Sequence, residues 1–275
     1  MVAATSNRVA RATLFYAALT FGALVMLFPL LWMIATALKP DAEVFNSAWL
    51  PSRLAWENFV RPFQEKPFAR WFANSLGVAA AITAGNLAVA SLAGYGFAKF
   101  QFPLRRVLFL IILATYMIPL QVTMVPLFLV VKRLGWVDSY LGLIVPIMVD
   151  AFGIFLIRQF MEDLPDDYLD QARIDGASEP RIFWSVVLPM AWPILATLSI
   201  LTFLTTMDEL LCPLIIVTSE ELRTIPLGLA TFENTYQTVY NQLMAVSLLA
   251  MLPVYLVFLA FQRRVVEGIT MTGLK

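Results

Sequence analysis

Three carboxylates interrupt stretches that are otherwise apolar: Asp150, and the adjacent pair Asp208 and Glu209. An ionisable group at membrane depth is costly unless it faces a cavity or a partner, so each marks a candidate pathway for an ion or for a polar, amino-bearing solute. The plainer alternative for the pair is solvent, since roughly 20 residues of helix after Pro189 carry it about 30 Å. Asp150 lies eight residues before Arg158, about 12 Å along a helix and too far for an intrahelical pair. It either lines a path or meets a polar group from a neighbour. Enzymatic chemistry has little to stand on. The chain has no histidine and one cysteine, Cys212, which excludes an intrachain disulfide and the common zinc sites. There is no GxxxxGK(S/T) loop, no HExxH and no GxSxG, and Gly-Lys occurs nowhere. Any nucleotide must therefore be handled by another polypeptide.

A second polar feature is larger. Residues 158–188 carry seven acidic and three basic side chains in an otherwise apolar chain. Pro165 opens a helix on which Leu169, Ala172 and Ile174 offer apolar contacts, and Arg173 and Asp175 flank a turn. Gly176 supplies a left-handed or closely approached backbone position. Ala177, Ile182, Phe183 and Val186 then lead to Pro189, which can start a membrane span. The pattern predicts an amphipathic helical elbow that can insert into a cleft of a cytoplasmic partner; on physics alone a solvated inter-span loop is the competing reading.

The elements that must position these groups follow from composition. Sixty per cent of residues are hydrophobic and 14% charged, against about 25% charged in soluble domains, which marks an integral membrane protein. A spanning helix needs about 20 apolar residues. Six segments qualify, at approximately 12–38, 71–98, 107–131, 139–157, 189–209 and 243–262, with the elbow at 158–188, all in a single membrane domain. The fold class expected is all-α, with both termini on the same side. Basic loops stay cytoplasmic. With the termini inside, the inner segments hold eleven Lys and Arg and the outer ones eight, five of those in the 39–70 loop. Setting that loop aside leaves 11 against 3, which places both ends in the cytoplasm. The 39–70 loop itself, with four prolines, Trp49 and Trp56, reads as a compact interfacial cap or as a surface for a soluble protein outside. Prolines and glycines in four spans suggest a pathway between helices, because lipid tolerates a broken backbone only where neighbours or water satisfy it. Zero net charge gives no basic surplus for nucleic acid.

The elbow then matches a known pattern. Asp170-Gln171-Ala172, three residues, Gly176, nine residues and Val186-Val187-Leu188-Pro189 resemble the EAA loop of permease subunits of bacterial ABC importers, with Asp for Glu, Gln for Ala and Val for Ile as departures. The similarity extends along the chain to the carbohydrate-uptake, maltose-permease-like branch. It includes LKP at 38–40, Asn74-Ser75, GYGFAKFQFP at 94–103, ARIDGAS at 172–178, PLIIVTSEELRTIPLGLATF at 213–232 and FQRRVVEGITMTGLK at 261–275. One stretch departs. FLTTMDELLCP at 203–213 has Met207 and Asp208 where the family tends to have Trp and Asn.

The resemblance implies the type I ABC importer permease fold and a heterodimer with a second permease in the bacterial inner membrane. It implies two cytoplasmic ATPase subunits, which bind the ATP and Mg, and an extracytoplasmic sugar-binding protein; this chain binds no cofactor and is no enzyme. The elbow residues Asp170, Gln171, Ala172, Arg173, Asp175, Gly176, Ala177 and Ser178 become the coupling helix seated on the ATPase. A rival from another class, an ion-gradient-driven secondary transporter using Asp150, Asp208 and Glu209, predicts transport without an ATPase. A membrane scaffold without a pathway predicts no transport at all.

Overall fold

The computed structural model describes the backbone of residues 2–230 and 239–273 and the side chains of 11–230 and 239–261. Residues 231–232 of the 213–232 stretch, the side chains of 261–275 beyond Phe261, and Arg8 therefore lie outside the described side chains. Helices in chain order are α1 (Val2–Ala37), α2 (Glu57–Glu65), α3 (Phe68–Lys99), α4 (Arg105–Tyr116), α5 (Leu120–Arg133), α6 (Tyr140–Ile144), α7 (Ala151–Glu162), α8 (Asp166–Ile174), α9 (Glu179–Ile182), α10 (Leu188–Met190), α11 (Trp192–Met207), α12 (Leu211–Ile216), α13 (Ile225–Ala230) and α14 (Tyr240–Gly273). No strand occurs among the described residues.

Three helices are long and apolar enough to cross a membrane unbroken: Arg11–Ala37, Phe68–Lys99 and Tyr240–Phe261. Two further helix pairs are long and apolar enough together but are bent at a short break. The expected span at 107–131 is α4 and α5, which meet at 102°. Pro119 has no N–H and pushes the residue before it out of helical geometry, which accounts for the break. The fifth expected span is also bent. Residues Glu179–Met190 and Trp192–Met207 meet at 76°, next to Pro189 and Pro193. Residues 139–157 are not one helix: α6 ends at Ile144, and α7 starts only at Ala151. Asp150 causes this restart, its extended backbone and carboxylate capping α7 through Phe152 N–H at 3.1 Å.

The molecule divides into two compact units, 1–66 with 231–251 and 67–230 with 252–275. In the first, buried Asn58 of α2 donates to the carbonyls of Ala37 and Lys39, 2.9 Å each. These are carbonyls that the end of α1 leaves without helical partners. Buried Asn241 adds a bond to Lys39 O at 3.0 Å. The LKP stretch is thus held by two asparagines.

In the second unit α3 packs along α7 and α11. Small residues permit this closeness: a Cβ added to Gly94 would sit 2.7 Å from Ile157 Cγ2 and 3.0 Å from Arg158 N. The core between them contains Ala90, Ile157, Met161 and Leu198, and continues into the elbow through Leu169, Ile182, Phe183 and Val187. At the other end of α3, Asn74 donates to the carbonyls of Glu221 (2.7 Å) and Arg223 (2.9 Å), and Ser75 Oγ accepts from Ile225 N at 2.8 Å. Fully buried Trp71 donates to Glu220 O at 2.7 Å. Two of the resembling stretches, Asn74-Ser75 and the 213–232 segment, are therefore fastened to each other.

Candidate functional site

The elbow is a closed turn built by local chemistry. Two acidic side chains, Asp166 and Asp167, occupy the first turn of α8 and Arg173 the last, the order that the helix dipole favours. The helix then ends in a Schellman motif, with Gly176 N–H on Arg173 O and Ala177 N–H on Ala172 O, both 3.0 Å. This motif needs a left-handed residue, and Gly176 has φ +79°. Ala172 and Ala177, the two residues that flank such a cap, both pack against the core below.

Arg173 braces the two arms. Its Nε donates to Glu179 Oε1 and its Nη1 to Asp170 Oδ1, both 2.8 Å. Glu179 also accepts from the Tyr95 hydroxyl on α3 at 2.9 Å. Lys99, at the end of α3, donates to Leu164 O (2.6 Å) and Asp166 Oδ1 (2.7 Å). The elbow is tied to the longest span of this unit at both ends. Its outer face carries the side chains left without internal work: Gln171, Asp175 and Ser178 are exposed, as is Tyr168, and Ile174 at the tip is 86% exposed. Leu169 faces inward and is buried.

The Arg173 guanidinium holds the Glu179 carboxyl below the ordinary carboxylate range, with Tyr95 O–H helping. A depressed folded value means that the brace contributes fully above the unfolded glutamate pKa, about 4.3, and is lost only as pH falls through the folded value. Activity that depends on the elbow is thus expected to stay flat from about pH 8 down to about pH 5. In Glu179→Gln the part of the acid-side loss that comes from the Arg173–Glu179 pair is expected to disappear, while that of Lys99–Asp166 remains, as a pH series of partner co-purification would show.

The three candidate pathway carboxylates are not alike. Asp150 and Glu209 border one cavity of about 300 Å³ together with Asn86, Thr202, Thr205 and Thr206. Glu209 caps α12, its Oε1 accepting from Leu211 N (2.8 Å) and Cys212 N (3.1 Å). Asn86 is 1% exposed and donates to Thr202 Oγ1 at 2.9 Å, while its Oδ1 has no partner. Asp208 is exposed at the C-terminal end of α11 and does not border the cavity. Helical geometry separates these neighbours in sequence: one closes α11, the next opens α12. Asn86 and the three threonines carry no sequence signal beyond being polar in apolar spans, and Tyr95 and Glu179 were not singled out by the elbow's spacing. Among the described residues no group of three or more potential ligands is arranged to hold a metal.

This geometry has relatives. Residues 86–271 match the family described as the binding-protein-dependent transport system inner membrane component. The arabinooligosaccharides transport system permease protein AraQ of Bacillus subtilis is 35% identical over 268 residues, covering 96% of this chain and 94% of the relative. The sn-glycerol-3-phosphate transport system permease protein UgpE of Pectobacterium atrosepticum is 38% identical over 261 residues, with 91% and 93% covered. A chain of a bacterial ABC transporter involved in the import of the acidic polysaccharide alginate superposes with TM-score 0.85 at 23% identity, over 94% of this chain and 97% of that one, which shows a shared fold. The chain therefore belongs to the binding-protein-dependent transport system inner membrane components, as a multi-pass inner-membrane permease subunit of an ABC transporter and not as an enzyme.

Proposed function

We propose that this chain forms half of the translocation pathway of a carbohydrate importer. It pairs with a second, different permease, sits on two cytoplasmic ATPase subunits and receives its solute from an extracytoplasmic sugar-binding protein. The carbohydrate assignment is supported by the relatives, which are named for arabino-oligosaccharides and for sn-glycerol-3-phosphate. The coupling assignment is carried by one observation: residues 170–178 form a braced elbow whose tip, Ile174, is exposed while its root is buried among α3, α7 and the bent fifth span. Closure of the ATPase dimer displaces such an elbow as a unit, and its connections to α3 pass the displacement into the spans as a shift between two pathway states. The elbow then faces the cytoplasm. Both chain ends lie on that side, in keeping with the 11 against 3 basic count away from the 39–70 loop.

The pathway role falls to Asp150 and Glu209 at the 300 Å³ cavity, with Asp208 outside it. Reconstitution of the complex in liposomes tests both halves of the reading. Uptake of a sugar delivered by the binding protein is expected to require ATP and to be indifferent to an imposed proton or sodium gradient. Combined Asp150→Asn and Glu209→Gln is expected to lower uptake about tenfold, the effect of roughly 1.4 kcal/mol, with ATPase co-purification unchanged. Gradient-driven uptake without ATP would instead establish the secondary-transport alternative.

A further inference from the structure

A basic cavity lies between α7 and the start of α4, bordered also by the residues that follow α3. It measures about 580 Å³, and Arg105, Arg106 and Arg158 all border it. One carboxylate serves them. Glu162 Oε1 is 3.4 Å from Arg105 Nη2 and pairs also with Arg158, so three guanidiniums face a single negative charge. Arg106 is exposed and has no ion pair among the described residues. The Arg158 guanidinium is already partly withdrawn from water: it stacks 4.1 Å from the Phe109 ring centroid, and its Nε is buried without a partner.

Two further features give the cavity its polarity. Helix α4 begins at Arg105 with no side-chain cap, the Arg105 N–H being taken by Phe102 O at 3.3 Å, so the positive dipole end of the helix adds to the surplus. The residue before it, Leu104, is left-handed at φ +63°, a conformation uncommon for a leucine. The walls then change character. Leu104, Val107 and Leu110 border the same cavity and are 68%, 50% and 54% exposed. This exposed apolar stripe lies directly beside the arginines.

We propose that this cavity binds an anionic phospholipid, its phosphodiester held by Arg105, Arg106 and Arg158 and its acyl chain lying along Val107 and Leu110. Arginine forks match phosphate oxygens in pairs, and basic pockets between membrane helices are the form that anionic headgroup sites take. A solvated basic loop would also satisfy the positive-inside tendency, but it would not need the α4 N-terminus, a charge surplus inside a cavity and a contiguous apolar wall in one place. Because Arg105 and Glu162 join α4 to the segment from which the elbow departs, the bound lipid would steady that junction. The assignment rests on the spans meeting there and is independent of which solute is carried.

Native mass spectrometry of the complete complex in mild detergent tests it, with added phosphatidylglycerol, phosphatidylcholine or inorganic phosphate. The wild-type complex is expected to retain one phosphatidylglycerol more than the Arg106→Gln complex, and no such difference should appear with phosphatidylcholine. Arg106→Lys, which keeps the charge, is expected to retain most of the binding, and unchanged ATPase co-purification in both variants reports that the fold is intact. Equal retention by wild type and Arg106→Gln overturns the proposal. So does retention of phosphatidylcholine to the same extent, and so does displacement of the lipid by millimolar inorganic phosphate, which would make free phosphate the occupant.

Discussion

Replacing Gly176 by valine is expected to lower binding-protein-stimulated ATP hydrolysis by the complex about tenfold or more, with the subunit still inserted and assembled with its partner permease. The reasoning is conformational. A Cβ at Gly176 would meet nothing within 4 Å, so no clash with the rest of the molecule is involved. The cost comes from φ +79°, which an L side chain occupies at about 1 to 2 kcal/mol and a β-branched one least willingly. Relief of that strain rotates the turn and breaks the bonds from Gly176 N–H to Arg173 O and from Ala177 N–H to Ala172 O. The tip bearing Ile174 then leaves the orientation set by the Arg173 brace. Asparagine tolerates left-handed geometry better than other non-glycine residues, so the series Gly, Asn, Ala, Val should fall in that order in both ATPase co-purification and stimulated hydrolysis. A valine complex as active as the asparagine one would remove the turn from the coupling account.

Gly94→Leu acts through packing, not conformation, and is expected to separate two helices that pack along each other. Its Cβ would stand 2.7 Å from Ile157 Cγ2 and 3.0 Å from the backbone nitrogen of Arg158. A side chain can swing aside, but a helix backbone cannot, so α3 and α7 must separate. Overpacking of this kind costs about 1 to 3 kcal/mol or more. Separation also pulls Arg158 and Glu162 from Arg105. The purified complex should lose at least several degrees of thermal stability, a shift of about 2 to 4 °C per kcal/mol at this chain length. Gly77→Leu and Gly96→Leu serve as controls, since neither position has anything within 4 Å of an added Cβ. A Gly94→Leu complex as stable as those two would mean that the α3–α7 contact is looser than described.

Much of the elbow was legible because its determinants are local. Pro165, the glycine eleven residues later and the alternation of Leu169 with exposed neighbours are read from a few adjacent positions, and each governs only its own turn. The brace was not legible. Tyr95 and Glu179 are 84 residues apart, and no spacing rule links them before α3 and the elbow are packed together. The family resemblance likewise pointed to Asn74-Ser75 and to 213–232 separately; only folding shows that one fastens the other.

The spans show the limit of hydropathy. Averaging over 107–131 and 139–157 registers apolar content and passes over what ends a helix. Pro119 breaks the first, and Asp150 restarts the second as an N-cap. The sequence offered Asp150, Asp208 and Glu209 alike as pathway candidates, with solvent as the alternative for the adjacent pair. Two are caps at a shared cavity, and the third is exposed at a helix end.

The central claim, that the elbow tip docks on the ATPase, is tested most directly by cysteine labelling. Cys212 is the chain's only cysteine, and it is 1% exposed, so Ile174→Cys introduces a single accessible thiol with little background. Maleimide labelling of Ile174→Cys should be rapid in the permease pair alone and reduced about tenfold or more once the ATPase subunits are bound, as burial of roughly 1.4 kcal/mol worth of access would give. Equal labelling rates with and without the ATPase would contradict the account.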